Sequence, residues 1–424
     1  MQTAADWMGE YRDPRDVAGS TERTAAPAAA STIDRWALDR IHGHLNDPAI
    51  TLTLWDGTSL GPPAAAARAA VRIADRGALY GLIWDTEIAF GDHYSDGRIE
   101  VTGDLVYLLE AAYRAPAGTR RWYPHASAIT RGRARDNVHV HYDLGNEFYA
   151  LWLDEQMVYT CAYYPSPHLT IEQAQNAKLD LVCRKLDLQP GLRVVEAGSG
   201  WGALALHMAR NYGVTVKAYN VSREQTAYAR QRAAEEGLAE RVEFIEDDYR
   251  AITGTFDRFA AIGMLEHVGL AQFSVLGAVI DRVLDPVHGR GLLHFIGRNQ
   301  AAPLSRWITK RIFPGAYPPT LAETFDRVLA PWRLSVLDVE NLRLHYARTL
   351  EAWGSRYETA QSRVELMYGP RFARAWRLYL AGSKVAFTSG MMQLFQVSFA
   401  REQDNTVPWT RASLYDAHGA GARP

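Results

Sequence analysis

Short apolar runs alternate with amphipathic stretches over the middle of the chain, and this alternation predicts a parallel sheet covered by helices. Each run has the composition of a buried strand, and the stretches between them repeat their apolar residues at helical spacing. The predicted strands cover residues 192–195, 214–219, 242–245, 256–264 and 291–297. Because strands that alternate with helices form a doubly wound α/β sheet, we predict a Rossmann-like fold here.

The first part of the chain has a different pattern, which predicts a smaller α+β domain. Ser31 and Asp34 are placed to cap a helix that runs to about His44, and Asp56-Gly57 follows an alternating run, as in a hairpin. Further strands are predicted at 70–73 and 98–102, with helices at 79–94 and 104–112. The 79–94 helix is rich in aromatic residues, and two interpretations stay open: a packed core or a groove for an acyl chain.

These patterns divide the chain into four segments. We expect a disordered tail at 1–32, an N-terminal domain at 33–115, a basic linker at 116–136 and a larger domain at 137–424. The linker carries five arginines together with Trp122 and Tyr123. Such a patch suits contact with lipid phosphates, and a solvated basic linker explains it equally well.

The first predicted strand of the larger domain ends in a glycine turn that is typical of a nucleoside site. Glu196 lies on the strand, and Gly198 and Gly200 would let the backbone turn sharply and approach a ligand. A dinucleotide site would have a further glycine where Ala203 stands. The pattern therefore favours S-adenosylmethionine over NAD, while an ordinary tight turn between strand and helix remains the alternative.

Polar residues collect where the predicted strands end. They are Ser199, the 220–222 segment, Asp248, Tyr249, Glu266, His267 and His294. Ligands bind outside the carboxyl ends of the strands in this kind of sheet, so we expect one site there. The sequence has no lysine phosphate loop, no zinc-spaced cluster and no G-x-S-x-G motif, and we therefore expect no metal.

Composition and charge narrow the class of protein further. The chain is 47% hydrophobic and 22% charged, which is ordinary for a globular protein, and its net charge of -2 gives no global attraction to nucleic acid. The two cysteines, Cys161 and Cys183, are too few for a disulfide framework and fit a reducing cytosol. We find no signal-peptide pattern and no run of about 20 apolar residues.

From about Asn137 to Asp404 the chain resembles the cyclopropane fatty acid synthases and mycolic acid cyclopropane synthases. The matching motifs lie in the same order at residues 141–146, 159–164, 198–202, 222–225, 248–250, 263–269, 312–315, 345–350 and 393–397. These enzymes use S-adenosylmethionine to alkylate the cis double bond of an acyl chain. The resemblance implies a class I methyltransferase-like fold, with an N-terminal domain that serves lipid binding or oligomerisation.

The resemblance also implies two sets of site residues. The implied cofactor contacts are Tyr159, Thr160, Gly198, Gly200, Trp201, Asn220, Val221, Gln225, Tyr249 and Ile262. The implied catalytic residues form a bicarbonate site and are Cys161, Glu266, His294, the backbone of Ile296, and Tyr346. The implied partner is a phospholipid membrane surface that presents unsaturated acyl chains. We accordingly expect a cytoplasmic protein, peripheral at the inner membrane face, that forms a homodimer if it resembles its relatives.

The sequence departs from the family pattern within the cofactor segment. Ser199 stands where a cysteine is frequent, Asn220 where a threonine is common, and Ala203 where a glycine is usual. These departures leave the product open between a cyclopropane ring and a methylene- or methyl-branched chain. Two further hypotheses are a methyltransferase for a soluble small molecule, such as an amine, and a lipid carrier without catalysis. The complete bicarbonate set argues against both.

Overall fold

The computed structural model describes residues 28–115 and 144–415. Most of the predicted tail, the arginine-rich linker and residues 141–143 of the first family motif lie outside the described residues. The chain divides into two compact units. The first comprises Met1–Trp122, Ser305–Pro314 and Leu350–Ser389, and the second comprises Tyr123–Leu304, Gly315–Thr349 and Gly390–Pro424.

The first unit contains a four-stranded sheet with helices, as the sequence pattern predicts. Its N-terminal elements are α1 (Thr32–Leu45), β1 (Ile50–Leu54), β2 (Ser59–Leu60), β3 (Ala69–Ile73), α2 (Arg76–Ser95), β4 (Ile99–Gly103) and α3 (Leu105–Arg114). The strand order is β2-β1-β3-β4. A capping box between Ser31 and Asp34 begins α1, and the Asp104 side chain caps α3.

The α2 helix is confirmed, but it is broken at Asp85, which has φ −153° and ψ 64°. Leu79 and Tyr94 are buried in this unit, whereas Trp84 is 82% exposed. The helix therefore contributes both core residues and an exposed aromatic side chain. Its interpretation as an acyl groove stays a prediction.

A later segment of the chain also packs within the first unit. Helix α10 (Arg306–Arg311) contacts α2, where Arg311 Nη2 lies 2.8 Å from Asp92 Oδ2 and Trp307 Nε1 donates to Asp92 Oδ1 at 3.2 Å. Residues of the long helix α12 (Arg343–Thr388) belong here from Leu350 onwards. Each segment predicted from the sequence is one continuous stretch of the chain, whereas this unit consists of three separate stretches.

The second unit is built on a seven-stranded mixed sheet with the order β10-β11-β9-β8-β5-β6-β7. Its strands are β5 (Arg193–Ala197), β6 (Thr215–Asn220), β7 (Val242–Glu246), β8 (Arg258–Ile262), β9 (Arg290–Gly297), β10 (Leu334–Asn341) and β11 (Gln393–Arg401). The five strands predicted from the sequence are parallel neighbours, which confirms the doubly wound sheet. The antiparallel strands β10 and β11 were not predicted.

Helices and short turns connect and cover these strands. They are α4 (Asn146–Ala150), α5 (Ile171–Lys185), α6 (Ala203–Tyr212), α7 (Arg223–Glu235), α8 (Leu265–Val268), α9 (Phe273–Val283), α11 (Leu321–Thr324) and α13 (Ala412–Tyr415). Ser222 accepts a hydrogen bond from the Gln225 N–H and caps α7. In the described part of the chain, no helix has the length and apolar character to cross a bilayer.

The turn after β5 uses left-handed backbone at three glycines. Gly198, Gly200 and Gly202 have φ values of +83°, +53° and +85°. A Cβ atom at Gly202 would lie 2.6 Å from Phe244 Cζ and 2.9 Å from Ala229 Cβ, both of them buried, whereas one at Gly200 would meet nothing within 4 Å. Gly202 is therefore required by close packing as well as by backbone conformation.

This difference predicts unequal costs for two alanine substitutions in one turn. Gly202→Ala adds overpacking to left-handed strain and should lower the free energy of unfolding by about 2–4 kcal/mol. Gly200→Ala adds strain alone and should cost about 1–2 kcal/mol. Urea unfolding followed by circular dichroism measures both variants. Equal losses would contradict the role of Phe244 packing.

Candidate active site

A cavity lies at the carboxyl edge of the parallel strands in the second unit. The turn after β5, the end of β6 and the end of β8 form its wall, together with segments near Tyr159 and Tyr249. We call it the strand-end cavity. All ten residues predicted to contact the cofactor line it: Tyr159, Thr160, Gly198, Gly200, Trp201, Asn220, Val221, Gln225, Tyr249 and Ile262. The fold thus brings together residues that are scattered over a hundred positions.

Two amide side chains fix the wall at the end of β6. Asn220 Nδ2 donates to the Gly200 carbonyl at 3.2 Å and to Gln225 Oε1 at 2.8 Å. These bonds tie the glycine turn to the start of α7. Among the described residues, the buried Nε2 atom of Gln225 has no hydrogen-bond partner. A buried amide N–H without an acceptor is costly, so this group is suited to a polar ligand.

An aromatic group supports Trp201 at the cavity. Trp201 Nε1 donates to Asn146 Oδ1 at 2.7 Å, and its ring lies 4.9 Å from that of Tyr149. Tyr149 also packs against Tyr159, with ring centroids 5.4 Å apart. Asn146 belongs to the first family motif but was not among the predicted site residues. Its contact explains how that motif helps to shape the cavity.

Two buried ionisable groups of the cavity wall are not among the predicted contacts, although Glu196 was part of the pattern that indicated a nucleoside site. Glu196 on β5 and Lys178 on α5 are each 2% exposed. Burial raises the pKa of Glu196 to about 8, and burial lowers the pKa of Lys178 to about 8. Lys178 Nζ donates to Thr160 Oγ1 at 2.9 Å. Nothing in the helical spacing of 170–186 distinguishes this lysine from an exposed one.

A second polar group, here called the polar cluster, consists of Glu266, His294, Ile296 and Gln396. The Ile296 N–H donates to Glu266 Oε1 at 3.3 Å, and Gln396 Nε2 donates to His294 Nδ1 at 3.0 Å. The amide contact leaves the His294 proton on Nε2. Ile262 of the strand-end cavity pairs with His294 across β8 and β9. The cluster is therefore next to the cavity in the sheet.

The polar cluster has buried atoms that lack partners. Glu266 and His294 are 5% and 1% exposed, and within the described ranges neither Glu266 Oε2 nor His294 Nε2 has a hydrogen-bond partner. Burial raises the pKa of Glu266 to about 7 and lowers that of His294 well below its usual range. The neutral imidazole offers an N–H donor and the carboxylate an acceptor. This donor set fits a small anion that carries a hydroxyl group.

Cys161 and Tyr346 both contact the Leu342 carbonyl, elsewhere in the same unit. The Leu342 carbonyl accepts from the Tyr346 N–H at 3.1 Å and lies 3.9 Å from Cys161 Sγ. The Leu342 N–H donates to Leu394 on β11, which pairs with Ile296 on β9. Burial raises the pKa of Cys161, so the residue is a thiol rather than a thiolate. Hydrogen bonds and strand pairing thus link Cys161 and Tyr346, through Leu342 and Leu394, to Ile296 of the polar cluster.

The buried carboxyl of Glu266 predicts how stability depends on pH in the ligand-free protein. Its pKa is about 7 when folded and 4.5 in its ordinary state, so ionisation opposes folding as pH rises through this window. Glu266→Gln removes that penalty. Relative to wild type, the variant should gain about 3 kcal/mol of unfolding free energy between pH 5 and pH 8 in bicarbonate-free buffer.

Urea unfolding at the two pH values measures the gain. Glu224→Gln, which replaces an exposed carboxyl on α7, serves as the control and should show no such gain. A stability difference for Glu266→Gln that is the same at both pH values would contradict the burial argument.

Comparison with known proteins adds independent information on the chain. The family model described as "Mycolic acid cyclopropane synthetase" matches residues 130–397. A "Probable fatty acid methyltransferase" of Pseudomonas putida is 32% identical over 382 residues, which cover 86% of this chain and 96% of that protein. The "Cyclopropane-fatty-acyl-phospholipid synthase" of Escherichia coli K12 is 39% identical over 266 residues, covering 62% of this chain and 68% of that protein.

Solved structures show the same fold. The mycolic acid cyclopropane synthase CmaA1, in complex with SAH and CTAB, superposes with a TM-score of 0.60 at 27% identity. The match covers 63% of this chain and 98% of that structure.

Proposed function

The chain belongs to the mycolic acid cyclopropane synthetase family of S-adenosylmethionine-dependent methyltransferases, and from this we propose that it alkylates the cis double bond of unsaturated phospholipid acyl chains to form cyclopropane fatty acids. The observation that carries the proposal is the pairing of Ile262 with His294. It sets the strand-end cavity directly beside a polar cluster that can hold a base. The relative from Escherichia coli carries the cyclopropane synthase name.

The strand-end cavity is the proposed site of S-adenosylmethionine, whose sulfonium supplies an electrophilic methyl group. Gln225 and Asn220 offer amide groups, and Trp201 and Tyr159 offer aromatic faces, so the residues fit a nucleoside. Because an alkene is a poor nucleophile, the acyl chain must be held close and water excluded. The apolar residues of the cavity, among them Met264 and Val268, suit that requirement.

The polar cluster is the proposed site of bicarbonate, which supplies a base when bound. His294 Nε2 would donate to it, and Glu266 Oε2 would accept from its hydroxyl. The Ile296 backbone positions Glu266, while Cys161 and Tyr346 complete the set. Bicarbonate held there would supply a weak base for the proton that the alkylated chain loses, without forming a lasting bond to that chain. Ring closure requires that proton loss.

A specific observation favours a second product class. The relative from Pseudomonas putida matches nearly the full chain and is named a fatty acid methyltransferase rather than a cyclopropane synthase. Loss of a proton after a hydride shift would leave a methylene branch, or a methyl branch beside a double bond, from the same first step. The hypothesis of a methyltransferase for a soluble small molecule is tested by the same labelling experiment, described next.

Labelled cofactor incubated with vesicles of oleoyl phospholipid should transfer label to the acyl chain. Mass spectrometry and NMR of the fatty acid methyl esters then identify a ring or a branch. Saturated phospholipid vesicles are the control, since they offer no double bond. Label in a soluble amine, with none in lipid, would contradict the proposed substrate.

Turnover should depend on bicarbonate and on Glu266. In buffer stripped of carbon dioxide the wild-type rate should fall, and added bicarbonate should restore it. Glu266→Gln keeps the shape but weakens acceptance of the hydroxyl proton, so we expect a loss of about 10²–10⁴-fold in kcat. S-adenosylhomocysteine affinity, measured by calorimetry, should change much less. Equal losses of turnover and cofactor affinity would count against the placement of Glu266 at the anion.

A further inference from the structure

Lys178 is a buried cation whose charge no nearby carboxylate neutralises. Its side chain is 2% exposed, and Nζ donates to Thr160 Oγ1 at 2.9 Å. Among the described residues, no carboxylate oxygen lies within 4.0 Å of this nitrogen. An ammonium has three donors, so one neutral hydroxyl leaves most of its bonding capacity unused. Burying such a charge is expensive unless an anion accompanies it.

A second buried lysine on the same helix is paired with carboxylates, as buried ammonium groups usually are. Lys185 lies two turns after Lys178 on α5, and its Nζ is 2.5 Å from Glu340 Oε2 and 3.7 Å from Asp338 Oδ2. Lys185 does not line the strand-end cavity, whereas Lys178 does. One helix thus carries two buried ammonium groups. Carboxylates of the chain neutralise one, and the other faces a ligand cavity with only a hydroxyl as its partner.

Four ionisable groups act electrostatically on Lys178, namely Asp154, Cys161, Glu196 and Cys183. Asp154 and Glu196 both raise the pKa of Lys178, against the larger lowering effect of burial. Asp154 is already occupied, because its carboxylate accepts the Val158 N–H at 2.8 Å and the Gln156 N–H at 3.1 Å. Glu196 retains a buried Oε2 without a partner in the described part of the chain. The wall thus presents a cation and a carboxyl group with unsatisfied hydrogen-bonding capacity.

We propose that Lys178 binds the α-carboxylate of the cofactor's methionine moiety and thereby positions the reactive end of the cofactor in the strand-end cavity. This inference rests on the proposed use of S-adenosylmethionine. The amino-acid end of that cofactor is the part that carries a carboxylate, and the adenosine end carries none. Lys178 is therefore a positioning residue, and Thr160 holds its ammonium group in place.

The test compares ligands that differ only at the amino-acid end. S-adenosylhomocysteine carries the carboxylate and the amine. The analogue 5′-(3-aminopropylthio)adenosine keeps the amine and lacks the carboxylate, and 5′-methylthioadenosine lacks both. Calorimetry on the full chain at about pH 7, where Lys178 is mostly protonated, gives Kd for each ligand.

Lys178→Met should weaken S-adenosylhomocysteine binding by about 10- to 100-fold, the range expected for a lost hydrogen bond between charged groups. Binding of the two ligands without a carboxylate should change by less than about twofold by the same reasoning. Lys178→Arg keeps the charge and should recover part of the selectivity. Lys185→Met, the matched control, removes a buried lysine outside the cavity and should leave the ratio of Kd values unchanged.

The ratio of Kd values separates positioning from a general structural effect. If Lys178→Met weakened all three ligands equally, the residue would merely support the wall and the proposal would fail. The proposal would also fail if Lys178→Met left the ratio of Kd values unchanged but altered how turnover depends on bicarbonate. Lys178 would then bind bicarbonate rather than the cofactor carboxylate. Wild-type protein that binds S-adenosylhomocysteine but alkylates no lipid would refute the proposed acyl substrate and leave this inference intact.

Discussion

The parallel pairing of β8 with β9 is the constraint on which the proposed site depends. It fixes Ile262 opposite His294, and the Gly263 N–H donates to the His294 carbonyl at 2.7 Å where the two strands diverge. A register shift of one residue would turn every side chain of β9 to the opposite face. This register places Ile262 of the cavity beside His294 of the polar cluster.

The buried charges near this register follow one physical rule. Groups that the chain itself satisfies are structural, as with Lys185 and its two carboxylates. Groups left with open bonding capacity include Lys178 and Glu196 at the strand-end cavity and Glu266 in the polar cluster. Unsatisfied buried polar atoms lower stability, and folded proteins retain them chiefly where a ligand compensates.

The apolar strands and the glycine turn predict five of the seven strands and a site at their carboxyl ends, whereas the family resemblance implies the individual cavity residues, such as Tyr159 and Gln225. The sequence pattern does not predict β11, whose first eight residues are buried since β9 and β10 cover both its edges. Such a strand lacks the alternation that identifies an exposed one. Gln396 and Lys178 were missed for a related reason: their roles depend on neighbours distant in sequence, which spacing along one element cannot show.

The position of β11 also has a consequence for the order in which the protein is made. The strand-end cavity draws its lining from residues between Met157 and Val268, whereas Gln396, the partner of His294, comes from one of the last elements of the chain. Chains emerge from the ribosome starting at the N-terminus. A nascent chain therefore possesses every residue of the strand-end cavity well before β11, which holds Gln396 against His294, has been synthesised.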